Sequence, residues 1–593
     1  MSKRASLFFL FLLLFQAPFC WADIFYVAPN GDDNNPGTFL QPWATLQKAA
    51  DTAVAGSTVY ARGGIYNEAV TIGVSGSVDG GYIVFQKYRD ETPVIDGTGL
   101  TVPSDAAGLF LIEDRNYIVI KGFEIRNYIT STRDVVPAGI HVRGTSHHIE
   151  LRNNRIHHIE THAPLSGGLL GADAHGIALY GTSATGSIHN IIIDGNELHD
   201  LVLGSSEALV LNGNVEDFEI THNVVRDCDN IAIDCIGFEG TCPNPVYDQA
   251  RDGEISGNRV YNISSYGNPS YGEEYSAGGI YVDGGKDIIV ERNIVTLSDI
   301  GLEIASEHAS GATSGITVRT NLIYSNRIAG IAMGGYDDQR GVTRDCKVVN
   351  NTLYHNDTRM DGNGELWLQY DTQDNVIKNN ILYANSQALL ISNPYEANTG
   401  NEVDDNLYFS PEGRDESSWE WKAISYTGFD AYRSGTANDA ASLFINPEFI
   451  NVSQPDFHLS SSSEAIDAGE DLSYAGAYDI VGNTRPQGGG YDLGAYEWST
   501  VPPTFYVSVD GTCGGRQICY AWIQGAIDWA DSVATIRISS EEYNEALTLD
   551  ESKQLVLQGG WDPGFSIQSG YTQINGSMTL SGGMVTLEDF ILQ

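Results

Sequence analysis

From about residue 110 to 410 the apolar residues fall in short clusters of alternating positions, separated by Gly, Asn and Asp, and not at helical spacing. One shape recurs: Asn154-Arg-Ile-His-His, Asn196-Glu-Leu-His-Asp, Asn223-Val-Val-Arg-Asp, Asn258-Arg-Val-Tyr-Asn and Asn293-Ile-Val-Thr-Leu. Asn321-Leu-Ile-Tyr-Ser, Asn351-Thr-Leu-Tyr-His and Asn380-Ile-Leu-Tyr-Ala continue it. Successive asparagines are 42, 27, 35, 35, 28, 30 and 29 residues apart. The short intervals measure one coil, and the long ones carry inserted loops. Each coil is expected to hold a strand of inward aliphatics and then a tight turn. There Asn takes the left-handed backbone and hydrogen-bonds to the Asn above and below. A lone coil cannot bury its apolar face, so the coils must stack. The expected fold is all-β: a right-handed parallel β-helix, a solenoid of about ten coils.

The ends break the pattern. Residues 1–22 read as a signal peptide: Lys3 and Arg4 precede the apolar run Ser6 to Phe19, with cleavage after Ala22. Residues 23–410 form the β-helix, and Thr45 to Val54 reads as a short amphipathic helix covering its open start. Residues 411–440 read as a polar, Trp-containing insertion, and Pro502-Pro503 as a stiff linker. The tail repeats the opening: Phe505-Tyr-Val matches Phe25-Tyr-Val, Trp522-Ile-Gln-Gly-Ala-Ile matches the first helix, and Tyr543-Asn-Glu-Ala matches Tyr66-Asn-Glu-Ala. Residues 501–593 are thus expected to be a linker and the start of a second β-helix, with an open coil edge at Gln593.

Composition narrows the partners. A formal charge of −45 lacks the basic footprint that nucleic acid requires and disfavours anionic membranes. No second long apolar run exists, so no transmembrane segment is expected in the mature chain. The compartment is expected to be extracellular, secreted or at the cell surface. Cys513 with Cys519 and Cys235 with Cys242 are candidate disulfide staples there.

Aligning strands on Ile177/Leu179, Leu209/Leu211, Ile231/Ile233, Ile280/Val282 and Leu302/Ile304 yields two outward columns. One reads Tyr180, Asn212, Asp234, Asp283, Ala305; the other Ala178, Val210, Ala232, Tyr281, Glu303. Asp234, Asp283 and Glu303 would crowd one face, and stacked like charges repel unless a cation neutralises them. Hard oxygen ligands suit Ca²⁺, with Asp229, Asn212 and Glu207 as further donors. Lys286 and Arg251 flank this patch, and His175, in Asp173-Ala-His-Gly, can titrate near neutrality. Glu303 with Glu307, and Glu239 on the loop from Gly237 to Asp252, offer paired carboxyls. Tyr247, Tyr271 and Tyr281 belong to a cluster of tyrosines suited to stacking on sugar rings.

Tyr26-Val-Ala-Pro-Asn-Gly, Pro42-Trp43 and the helix that follows resemble the opening of secreted bacterial β-helix repeat proteins related to pectate lyase and chondroitinase B. The resemblance spans roughly 23–410. Asp456-Phe-His-Leu, Ala465-Ile-Asp-Ala-Gly, Arg485-Pro and Asp492-Leu-Gly-Ala-Tyr-Glu resemble the choice-of-anchor segment that ends many such chains, which implies cell-surface attachment. The resemblance implies a Ca²⁺-assisted polysaccharide lyase acting by β-elimination on uronate glycans. Asp234, Asp283, Glu303 and Asp229 would hold the ion, Lys286, Arg251 or His175 would supply base and clamp, and Tyr281, Tyr271 and Tyr247 would hold the substrate. A β-helix glycoside hydrolase and a non-catalytic carbohydrate-binding solenoid are the competing expectations.

Overall fold

The computed structural model describes residues 23–105, 107–164, 171–453, 455–530, 532–549 and 552–593. The signal-peptide reading of residues 1–22 lies outside these.

Among the described residues the chain winds into three long parallel sheets. Each coil visits the third sheet, then the second, then the first. The first sheet runs from Ile24–Val27 to Glu402–Asp404, the second from Val70–Thr71 to Ser418–Trp421, and the third from Gly64–Tyr66 to Leu443–Phe444. The third sheet stacks thirteen strands. The solenoid is therefore longer than the Asn signature indicates, because its first coils do not carry that signature.

Registers are in line, so like sits on like. Ile156, Leu198, Val225, Val260, Val295, Ile323, Leu353, Leu382 and Tyr408 are successive partners and form a buried interior column. β-Branched and aliphatic side chains suit such a column because each fills the pleat of its neighbour.

Beside it runs the asparagine ladder. From Asn154 through Asn196, Asn223, Asn258, Asn293, Asn321, Asn351 and Asn380 to Asn406, each Nδ2 donates to the next Oδ1 at 3.0 Å. Each backbone N–H donates to that same oxygen, at 2.9–3.0 Å. Each Nδ2 also reaches a carbonyl in the preceding coil, as Asn293 does to Ile255 at 2.9 Å. Phe123 N–H opens the ladder and Ser442 Oγ closes it. The left-handed backbone expected of these asparagines belongs instead to the residue before each one: Asn153, Gly195, His222, Gly257, Arg292, Thr320, Asn350, Asn379 and Asp405. The ladder position needs an amide that both donates and accepts; the turn before it needs only a tolerated positive φ.

Both ends are closed by apolar plugs. Helix α1 (Leu46–Thr52) buries Leu46, Ala49 and Ala50 over the first coil, and Glu68 accepts the free N–H groups of Leu46 and Gln47. At the far end, residues 411–440 supply the strand Ser418–Trp421 and helix α2 (Phe429–Thr436). Trp419 is buried there and stacked on Tyr432 at 5.1 Å, so this stretch, polar in composition, caps the core.

The tail repeats the opening contact for contact. Glu545 accepts the Ile523 and Gln524 N–H groups at the start of helix α3 (Ile523–Trp529), and Tyr543 hydroxyl donates to Val507 O at 3.1 Å, as Tyr66 does to Val27. This module lies against the flank of the first solenoid, with His222 on Tyr520 at 4.3 Å and Arg259 on Trp529. Cys513 and Cys519 are bonded as expected. Cys235 and Cys242 are both free, contrary to expectation. Cys235 points into the core beside Leu211, whereas Cys242 sits on the outer loop with its thiol toward Ser183 O.

Removing one rung orphans buried donors and acceptors on both sides of it. Asn293→Ala should therefore cost about 2–4 kcal/mol, at about 1–3 kcal/mol for each group left unsatisfied. Urea unfolding should show a lower midpoint with an unchanged slope.

Candidate functional site

Outside the core, the second sheet carries one continuous column: Leu111, His141, Ala178, Val210, Asp234, Tyr281, Glu303, Ala332, Trp367 and Ser392. Asp234 thus lines up with Tyr281 and Glu303, not with Asp283. Strand Ile233–Ile236 is shifted by two residues from the register expected of it, because Ile233 and Cys235 face inward in place of Ile231 and Ile233. A two-residue shift preserves the face, so Asp234 still points outward.

Loops lay further carboxylates over this column. Asp283 stands two residues along from Tyr281, and its Oδ1 accepts the Glu307 N–H at 2.7 Å. Tyr281 hydroxyl reaches Glu307 Oε1 at 3.5 Å. Glu239, on the loop after Ile236, accepts from Asn212 Nδ2 at 2.7 Å. Glu207 joins at the upstream edge. Asp234 Oδ1 and Asn212 Oδ1 are buried and have no hydrogen-bond partner among the described residues.

Burial and mutual repulsion act in the same direction. Glu207 is pushed well above the usual carboxylate range by desolvation and by Glu239 and Asp173. Desolvation, Glu207 and Asp283 raise Asp234 likewise. Asp283 is raised by desolvation and Glu307, and Glu303 by the same two causes to about 8. Glu307 is raised less, since Arg340 lies beside it. A buried carboxylate cluster of this kind holds protons at neutral pH or takes up a cation.

Two to three coils upstream of Asp234 the column opens into a cavity of about 290 Å³ lined by His141, Arg143, Asp173, His175, Tyr180 and Ser206, among others. His175 is buried, its Nδ1 lies 3.0 Å from Glu207 O, and its Nε2 lies 3.1 Å from the Tyr180 hydroxyl. With Nδ1 donating to the carbonyl, Nε2 accepts the phenolic proton. Desolvation lowers the His175 pKa, which keeps this pair neutral. His141 is lowered to about 4 by the same cause. Ala178, Val210 and Ile236, with Tyr180 against them, form an apolar strip between this cavity and the carboxylates.

The other expected site residues separate. Tyr271 lies near Glu207 and Glu307 and is raised to about 12 by burial. Asp229 stands apart, near Glu160 and His162; it accepts the Leu203 N–H at 2.7 Å and is raised to about 6 by burial. Arg251 and Lys286 are register partners on the first sheet, in the column Asn116, His147, His189, Glu216, Arg251, Lys286. Arg251 is paired with Glu216 and donates to Asn214, and Tyr247 lies under its guanidinium. Lys286 is half-exposed beside Asp287 at 3.5 Å. The turn at Gly284-Gly285 carries the chain around the solenoid corner, so three residues of separation place Lys286 on a different sheet from Asp283. His141 and Arg143 were missed; continuing the strand alignment one coil upstream, to Ile140/Val142, would have found them.

Comparison with known proteins agrees with the architecture. A model of the Pel9A-like right-handed β-helix region matches residues 25–188, and a general right-handed β-helix model matches 138–353. The uncharacterized protein YwoF of Bacillus subtilis is 42% identical over 443 residues, covering 75% of this chain and 92% of YwoF. Pectate lyase PEL9 of Emericella nidulans is 34% identical over 151 residues, covering 24% of this chain and 36% of that enzyme. The solved complex of XylC with xylose has 14% identity and a TM-score of 0.48, covering 80% of this chain and 98% of XylC. The chain is a pectate-lyase-like right-handed parallel β-helix repeat protein and belongs to the same family as YwoF.

Proposed function

We propose that the protein cleaves a uronate polysaccharide by β-elimination in the acidic cleft of the second sheet. The observation that carries this reading is the buried carboxylate cluster of Glu207, Asp234, Asp283 and Glu303 on the outer face of a β-helix. The pectate lyases among its relatives add a substrate class with matching chemistry. A polyanion cannot approach such a cluster unless the charge is neutralised.

The residues suit Ca²⁺: every donor is a hard oxygen, and the Asp234 and Asn212 oxygens lack partners. Asp234, Asp283 and Glu303 would hold the ion, with Glu207 beside them. The cleft carboxylates do not gather three oxygens within 4.8 Å of one another among the described residues, so side chains must turn inward to coordinate. Once bound, the ion would neutralise the substrate carboxylate and acidify the adjacent C–H. The His175–Tyr180 pair is the proton-transfer unit, with the neutral imidazole taking the proton that the phenol relays. Tyr271, partly exposed, offers a face for a sugar ring, whereas Tyr281 is buried beneath Glu307 and packs the floor of the cluster.

A second reading rests on a specific observation. Asp234 and Glu303 are two coils apart, about 9.6 Å at the backbone, and Glu303 stays protonated near neutrality. Such a pair suits inverting hydrolysis, which separates its carboxyls by about 6.5–9.5 Å.

On a uronate panel, unsaturated product should form with Ca²⁺ and vanish with EDTA. His175→Ala should lower kcat about 10²–10⁴-fold, the usual worth of general acid–base catalysis, and Asp234→Asn should raise the Ca²⁺ requirement. Lys286→Ala should retain activity, since its ammonium faces solvent on another sheet. New reducing ends without unsaturation would select the hydrolase, and binding without cleavage a non-catalytic solenoid.

The raised carboxyls also set a pH dependence. Glu303 keeps its proton to about 8 when folded, against an ordinary value of 4.5. Its contribution to stability is fully present below 4.5 and is lost as pH rises through 8. In EDTA the thermal midpoint should be higher at pH 5 than at pH 8. Glu303→Gln should flatten that slope, and Ca²⁺ should restore the midpoint at pH 8.

A further inference from the structure

On the first sheet, around the corner from the acidic cleft, His147 and His189 are register partners with rings stacked at 4.8 Å, and His148 follows His147. One ring nitrogen from each of the three lies within 4.8 Å of the other two, a convergence found nowhere else among the described His, Cys, Asp and Glu residues. His147 Nδ1 and His148 Nδ1 are 2.9 Å apart. Two imidazoles on a tetrahedral ion at about 2.0–2.1 Å sit about 3.3 Å from each other, so this pair needs only a small opening to share one.

The surroundings fix the ligand atoms. His189 Nδ1 lies 3.2 Å from Ser187 O, which directs Nε2 outward as the free lone pair. Ser187 Oγ joins His189 to Glu216, with 3.4 Å to Nδ1 and 2.6 Å to Oε1, the carboxylate-supported arrangement typical of metal-bound histidine. His148 is stacked on Tyr117 at 4.3 Å, which restrains its ring.

A similar constellation on the third sheet provides a contrast. His157 and His199 are also register partners, stacked at 4.9 Å, and His157 Nδ1 lies 2.7 Å from His158 Nδ1. There the nitrogens are already taken: His199 Nδ1 by Asp200 at 2.7 Å, His199 Nε2 by Arg155 at 3.1 Å, and His157 Nε2 by Glu124 at 3.4 Å. At His147, His148 and His189 the ring nitrogens are instead held by one another and by Ser187, with no carboxylate or guanidinium directly on them.

We propose that His147, His148 and His189 form a binding site for a divalent transition metal of the Zn²⁺ class, separate from the carboxylate cleft. Three imidazoles suit Zn²⁺ and disfavour Ca²⁺, which takes oxygen. All three rings are only partly buried, so a fourth position is open to water. The ion would tie together the coils carrying residues 147–148 and 189.

The test is equilibrium dialysis of the full chain, free of any affinity tag, against Zn²⁺ in excess Ca²⁺, with Co²⁺ absorption as a report of imidazole ligation. One Zn²⁺ per chain is expected, with visible Co²⁺ bands of tetrahedral intensity. His189→Ala should weaken binding at least tenfold and abolish those bands, while His199→Ala should leave both unchanged. Circular dichroism shows that each variant is folded, and His189→Gln serves where alanine fails. The site is refuted if wild-type protein takes up no Zn²⁺ under Ca²⁺ competition, if His147→Ala/His189→Ala binds as wild type does, or if His199→Ala removes binding equally.

Discussion

Everything in this molecule depends on in-register stacking of unlike loops on like strands, and the buried asparagine ladder is the interaction that enforces it. Each rung's Oδ1 accepts the backbone N–H of the asparagine one coil before it, and its Nδ2 donates to the next rung and to a carbonyl in the preceding coil, so a coil displaced by one residue would leave buried polar groups unpaired on both sides. Hydrophobic burial alone would tolerate slippage among Val, Leu and Ile. The ladder does not. It fixes which outward side chains share a column, and the columns are where the chemistry lies.

Because the register is fixed, the outer face is a grid. Carboxylates two coils apart on the second sheet share a cleft, whereas residues three apart in sequence can occupy different sheets. Asp283 and Lys286 show the second case: the Gly284-Gly285 corner separates them more effectively than a long loop would. Loops inserted after Ile236 and after Ala305 then bring Glu239 and Glu307 over the grid, deepening the cleft and raising the carboxyls beneath it.

Much of this was legible in the sequence. The Asn recurrence disclosed the solenoid, the tail's repetition of Phe25-Tyr-Val disclosed the second cap, and Asp234, Asp283, Glu303 and Tyr281 lie on one outer face of the second sheet. Four things were not legible. Ile231 and Cys235 are interchangeable to a hydrophobic pattern, so the register of that strand was ambiguous by two. The turn asparagine carries two signals at once, and the positive φ fell to its neighbour. The sheet to which Lys286 and Arg251 belong depends on a corner geometry that spacing does not encode. The 411–440 stretch hid a cap because its aromatics, among them Trp419, Phe429 and Tyr432, are interspersed with charged and polar residues and come together only in the fold.

On the proposed function, a polysaccharide chain lies along the column from His141 to Glu303. A crystal structure of the Asp234→Asn variant with a uronate oligosaccharide and Ca²⁺ tests it most directly. The sugar should lie along the second sheet, from the cavity of His141 and Tyr180 across the apolar strip, with a uronate carboxylate beside Glu207 and Asp234, the cluster carboxyls that act on Tyr180. Density instead in the larger concavity of about 1150 Å³ between the third sheet and the C-terminal module, near Arg259, Tyr324 and Trp529, would contradict it.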